Sequence, residues 1–243
     1  MDTLWVGGKM INFIFDIDGT LTPSRDKIDT KFQSWFLEFQ KVYDTYLVTG
    51  SDRSKTIEQV GEQVYNSAKR VYNCSGSEVW EQDKKVHASE WQLPMHVRWW
   101  LEKHLEASEF PVKTGLHIEE RPGMVNFSIV GRNADRDQRK LYVAWDTERK
   151  ERIDISKTFE RKFPDIQAKV GGETGIDIFP QGCDKSQILR DFELSSELCF
   201  FGDRMDDDGN DYPLSTAILE KQLGKCYCVK DWKHTWKLLK DMA

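Results

Sequence analysis

Cysteine is scarce in this chain, positive charge is in deficit, and no apolar run is long enough to span a bilayer. The five cysteines, Cys74, Cys183, Cys199, Cys226 and Cys228, form no CxxC pair and no zinc-ligand spacing. So sparse and odd a set argues for free thiols in a reducing compartment, and a cytoplasmic location is expected. The formal net charge is −6, with basic residues scattered rather than striped, which excludes a general nucleic-acid surface. The opening MDTLWVGGKM has neither a basic start nor a long apolar stretch, so no leader and no membrane partner are expected. No repeat or low-complexity segment interrupts the sequence. What is present is core material: 39% apolar residues and nine Trp in 243 residues, enough for one large domain or a core with a smaller companion.

The segment FIFDIDGTLT, residues 13 to 22, carries the strongest chemical signal. An apolar strand delivers Asp16 and Asp18 into a Gly-Thr turn. Two like charges at the mouth of a buried strand are unfavourable unless a cation or a transferred proton relieves them. Such a pair suits a metal-assisted site in which one carboxylate attacks and the other moves a proton.

Strand and helix signals alternate over the first eighty or so residues. Apolar spacing predicts helices over 28–43 and 53–65, with a short strand at Thr45 to Val48. That alternation predicts a doubly wound α/β core with its chemistry at the carboxyl ends of the strands. The middle differs: hairpin-like runs, a helix after Pro94, a Pro122-Gly123 interruption and a long charged helix over 136–163. These predict an inserted α+β domain over residues 82–182, with the core formed by 1–81 and 183–243. The end resumes the first pattern, with a helix start at Asp184, the strand LCFFGD and a last helix from Trp232.

Four segments fall at the ends of core elements: DIDGT, TGSDR, Lys185 in GCDKSQIL, and GDRMDDDGND. Alone, the second is an ordinary turn, Lys185 a solvated helix-start residue, and the last an acidic loop with some likeness to a calcium loop. Together and in order they resemble the four motifs of the haloacid dehalogenase (HAD) superfamily of phosphotransferases. RPGMVNFSIVGR with Arg139, GGETGIDIFPQGCDK, and Arg25 in DGTLTPSR extend the resemblance to the eukaryotic-type phosphomannomutase family over nearly the whole chain. The implied fold is a doubly wound HAD-like core with an inserted α+β cap. By the same resemblance Asp16 is the phosphorylated nucleophile, Asp18 the acid/base and Lys185 a charge-balancing catalytic residue. Arg25, Thr49, Arg121, Arg132, Arg139 and Asp177 contact substrate. Asp16, Asp18 through its carbonyl, and Asp203 hold Mg2+. The resemblance also implies a hexose 1,6-bisphosphate as activator if the chain is a mutase, and a homodimer through the cap, where Trp91, Trp99, Trp100 and Leu101 supply either a surface or a core. Guanidinium forks suit the grip on a second phosphate better than lysine does.

Three departures bear on activity. Gly175 stands where the family usually has a serine. Asp206 to Asp208 add carboxylates to the last motif. Ala217 replaces an aspartate of an accessory cation site. The sequence therefore supports a phosphohexose mutase acting on mannose 6-phosphate and mannose 1-phosphate, with a Mg2+-dependent sugar-phosphate phosphatase as the alternative. A non-enzymatic sugar-phosphate binder is disfavoured by the intact Asp16, Asp18, Lys185 and Asp203.

Overall fold

The computed structural model describes residues 5–6 and 9–242, with side chains from Ile11 onward. The first four residues of the opening read for a leader lie outside the described residues. The chain divides into two compact units, one formed by the residues up to Ala88 with those from Cys183 on, the other by Ser89–Gly182.

The first unit is built on a sheet whose strands are β1 (Trp5–Val6), β2 (Lys9–Phe15), β3 (Asp44–Val48), β4 (Arg70–Asn73), β5 (Glu78–Glu81), β6 (Lys84–Ala88), β11 (Glu197–Gly202) and β12 (Gly224–Cys228). Their order is β12-β11-β2-β3-β4-β5-β6, with β1 paired on β2. The four pairings from β12 to β4 are parallel and the β5 and β6 pairings antiparallel. Alternation along each strand feeds two apolar layers. Phe13, Phe15, Leu47, Val71 and Phe201 pack with α1 (Thr30–Val42), α2 (Arg53–Val60), α3 (Glu62–Ser67) and α8 (Trp232–Met242) on one face. Ile14, Val48, Tyr72, Leu198 and Phe200 pack with Ile188, in a 3-10 turn over Lys185–Asp191, and with α7 (Tyr212–Glu220) on the other. Helices on both faces of a parallel sheet are the doubly wound arrangement expected from the sequence.

Four details differ from the sequence reading. The helix expected over 53–65 is broken at Gly61, where φ is +82°. The segment starting at Asp184 winds as a 3-10 helix rather than an α-helix. Helix α7 had no prediction, because the acidic run before it masks a start at Asp211 with Pro213 in its first turn. Lys84–Ala88 pairs with β5 in the large sheet, so the second unit begins at Ser89 rather than at residue 82. Backbone pairing holds β6, although none of its five residues is buried.

The second unit is a four-stranded antiparallel sheet in the order β7-β8-β10-β9, from β7 (Ile118–Arg121), β8 (Met124–Phe127), β9 (Ile166–Gly171) and β10 (Gly175–Pro180). Its core joins Ile118, Val125, Phe127, Ala168, Ile176 and Ile178 to residues of α4 (Met95–Ala107), α5 (Arg136–Arg149) and α6 (Glu151–Lys162). The long helix expected over 136–163 is two helices, parted by Lys150 in the left-handed conformation at φ 58°. Of the apolar cluster Trp91, Trp99, Trp100 and Leu101, Trp100 and Leu101 are core and Trp91 packs against it, while Trp99 is 61% exposed.

Candidate active site

Strands β2 and β11 run side by side, and the ladder continues one step past them through Asp16 N–H donating to the Phe201 carbonyl at 2.9 Å. The chain then turns sharply: Gly19 N–H donates to Thr22 O at 2.9 Å, and Thr22 Oγ1 to Ile17 O at 3.2 Å. Glycine is required in this turn. Gly19 has φ +81°, and a Cβ there would lie 2.4 Å from Asp203 Oδ2. The DGT turn is thereby pressed against the carboxylate at the end of β11.

Lys185 joins these pieces. Its side chain is wholly buried, and Nζ donates to Asp16 Oδ1 at 2.6 Å and to Asp211 Oδ1 at 2.7 Å. It is no solvated helix-start residue. The carboxylates of Asp16, Asp203 and Asp211 offer oxygens within 4.8 Å of one another. Burial pushes the Asp16 carboxyl well above the usual carboxylate range; Lys185 opposes this, and Asp211 and Asp203 reinforce it. Burial, then repulsion from Asp211, pushes Asp203 up to about 6. Burial alone would lower Lys185, but Asp16 and Asp211 outweigh it and hold the ammonium charged. Three carboxylates against one ammonium leave an excess of negative charge in a buried space. That excess and an all-oxygen donor set fit a hard divalent cation.

The third carboxylate in this group, beside Asp16 and Asp203, is Asp211. In the sequence Asp211 is the last residue of GDRMDDDGND, and the acidic run before it hides its role. That run is exposed, and Asp206 pairs with Arg204 Nε at 3.3 Å. Asp211 is fully buried. Its second oxygen accepts from Arg204 N–H at 3.1 Å, so it orients Lys185 as well as adding charge.

Asp18 is half-buried, and its Oδ1 accepts from the Arg25 backbone N–H at 2.6 Å and from Gln59 Nε2 at 2.9 Å. Arg25 thus meets Asp18 through its main chain, in a left-handed conformation at φ 58°. Gln59, on α2, carries no signature in sequence that marks it as an active-site partner. Thr49 follows β3 almost fully buried, and its hydroxyl oxygen accepts from Ser51 N–H at 3.1 Å, which leaves the hydroxyl hydrogen to be donated elsewhere.

The remaining sequence candidates lie in the second unit. Glu119, Asn126, Asp177 and Lys169 are successive register partners across β7, β8, β10 and β9. Arg121 pairs with Glu119, and Arg132 Nε reaches the same carboxylate at 3.0 Å. Asp177 Oδ1 accepts from Asn126 Nδ2 at 2.6 Å. Arg139, on α5, reaches Glu173 between β9 and β10 at 3.6 Å. Arg121, Arg132 and Asp177 are thus linked along one row, with Glu119 and Asn126 as partners that sequence reading missed. A surface-charge role for Arg132 and Arg139 does not fit, since their side chains are 15% and 13% exposed.

A family model for the eukaryotic phosphomannomutases matches residues 32–242. Relatives named phosphomannomutase include one from Spinacia oleracea, 33% identical over 210 residues, spanning 83% of this chain and 84% of the relative. Another, from Saccharomyces cerevisiae, is 28% identical over 244 residues, spanning 94% and 92%. Among solved structures, a haloacid dehalogenase-like hydrolase from Bacteroides thetaiotaomicron superposes with a TM-score of 0.59 at 13% identity, covering 97% of this chain and 100% of that one. A trehalose-6-phosphate phosphatase related protein gives 0.56 at 18% identity, covering 95% and 96%. At such identities these two show the HAD-like fold and nothing finer.

Proposed function

The chain belongs to the eukaryotic phosphomannomutase family and is an enzyme, and we propose that it interconverts mannose 6-phosphate and mannose 1-phosphate through a phosphorylated Asp16. The observation that carries this reading is the buried Lys185 ammonium clamped between Asp16 and Asp211 beside an Asp18 held by its own donors. An Asp16 oxygen attacks a phosphorus of the hexose bisphosphate. The bond from phosphorus to the sugar oxygen breaks, and Asp18 gives that oxygen its proton. The same steps in reverse deliver the phosphoryl group to the other end of the sugar. Lys185 offsets charge at Asp16, and Thr49 donates to a phosphate oxygen.

Asp16, Asp203 and the Asp18 carbonyl would hold Mg2+, with Asp211 beside them. The ion supplies charge neutralisation for attack by a carboxylate on a phosphate dianion. Arg25, Arg121, Arg132, Arg139 and Asp177 are assigned to the substrate, with a hexose 1,6-bisphosphate as activator. The second unit takes the role of the cap. We place a homodimer contact on that unit, where Met95 and Trp99, one turn apart on α4, are 75% and 61% exposed. A cytoplasmic setting is proposed on the five free thiols. No helix among the described residues is long and apolar enough to cross a membrane.

One assay tests the reaction. With mannose 1-phosphate, magnesium and catalytic glucose 1,6-bisphosphate, mannose 6-phosphate should form without release of inorganic phosphate. Release without isomerisation would make the enzyme a sugar-phosphate phosphatase. Gln59→Leu tests the proton-transfer role of Asp18. It should lower kcat about tenfold and leave KM nearly unchanged, because a donor that fixes an acid/base acts on the reacting state. A rise in KM alone would place Gln59 in substrate binding instead.

A further inference from the structure

The antiparallel sheet of the second unit holds an amide that the arginines leave unexplained. Asn126 is 5% exposed and spends its nitrogen on Asp177. A carboxylate only accepts, so the orientation is fixed, with the nitrogen toward Asp177 and the oxygen away. That oxygen, Asn126 Oδ1, is buried without a hydrogen-bond partner among the described residues. An orphaned buried acceptor is unfavourable until something donates to it.

Glycines explain how the amide comes to be there. Gly175 lies on β10 two residues before Asp177, on the same face of the strand. A Cβ at Gly175 would sit 2.5 Å from Asn126 Nδ2 and 3.0 Å from Oδ1, and one at Gly171 would sit 2.3 Å from Asp177 Oδ2. The Asn126 amide therefore occupies space that a side chain at position 175 would enter. The unused acceptor on Asn126, beside the carboxylate of Asp177, suits a ligand that presents hydroxyl groups.

We propose that Asn126 contacts the substrate, its Oδ1 accepting from a hydroxyl of the hexose phosphate. Its Nδ2 holds Asp177 in position for the neighbouring sugar contact. This rests on the hexose-phosphate reading above. It makes the Asn126–Gly175 pair a determinant of sugar recognition, because a site built around a hydroxyl discriminates against ligands that lack one.

Calorimetric binding of mannose 1-phosphate and of inorganic phosphate, both with magnesium, tests it on the full chain. In Asn126→Ala the affinity for mannose 1-phosphate should fall about tenfold or more relative to that for inorganic phosphate. Adding Gly175→Ser to that variant should recover most of the loss, since the serine then has both the space and the hydroxyl. Thermal melting checks folding, and Asn126→Ser replaces the alanine variant if the latter does not fold. An unchanged ratio in a folded variant, or a parallel loss of both ligands, would overturn the proposal. Wild-type protein that hydrolyses p-nitrophenyl phosphate yet binds no hexose phosphate would overturn the sugar-phosphate reading itself, and this proposal with it.

Discussion

Asp16→Asn is expected to abolish phosphoryl transfer, by roughly 10⁴-fold or more, while leaving the protein folded. The two halves of that expectation come from different interactions. An amide oxygen is too weak a nucleophile to attack phosphorus, so no covalent intermediate forms. Yet the same amide oxygen can still accept from Lys185 Nζ, which retains its 2.7 Å bond to Asp211. Burial already disfavours the Asp16 carboxylate, and Asp211 and Asp203 add to the repulsion. Removing that charge from the cation-free protein should leave the melting temperature unchanged or raise it. Rapid quenching with a labelled hexose bisphosphate provides the check: label should stay on the wild type and not on the variant. Retained activity, or a much lower melting temperature, would make Asp16 a structural residue.

The sequence made the strand-borne parts of this site legible and left the helix-borne parts obscure. Asp16, Asp18 and Asp203 stand at or just beyond the ends of β2 and β11, where an apolar run followed by a carboxylate is visible in a single sequence. Gln59 is different. It reaches Asp18 from a helix more than forty residues away, and a glutamine on a helix carries no mark of what it faces. Asp211 was hidden by its neighbours. Four of the last six residues in GDRMDDDGND are aspartates, and only burial separates the one that touches Lys185 from the three in water. Asn126 was obscured by the alternation of β8, whose Val125 and Phe127 enter the core while Asn126 takes the other face. The fold followed the same division. Alternating strand and helix signals gave the doubly wound unit. The breaks at Gly61 and Lys150 depend on a single backbone angle each, and the boundary at Ser89 depends on which sheet a polar hairpin pairs with.

Lys185→Met should produce the largest loss of stability, and its size should depend on pH and on magnesium. Removing the ammonium leaves Asp16, Asp203 and Asp211, all within 4.8 Å, with no internal counter-charge. Breaking a buried pair in this way costs about 3–5 kcal/mol, or roughly 6–20 °C in melting temperature for a chain of this size. Protonation limits the damage. The Asp203 carboxyl is pushed up to about 6 in the folded protein from an ordinary value of 3.8, so the folded state binds the proton more tightly than the unfolded one. Its contribution to stability is therefore present at low pH and is lost as pH rises from about 4 to about 6. Without Lys185 the folded-state value moves higher still, because the largest force lowering it after burial and Asp211 have raised it is the lysine charge. The variant in chelator should thus lie far below the wild type at pH 7 and much closer to it at pH 5. Magnesium at pH 7 should return part of the loss, since a ligand at a hundred times its Kd adds about 2.7 kcal/mol. Melting curves at the two pH values, with chelator and with magnesium, read all of these effects together. A loss equal at both pH values, or one indifferent to magnesium, would mean that Lys185 serves packing rather than charge at this site.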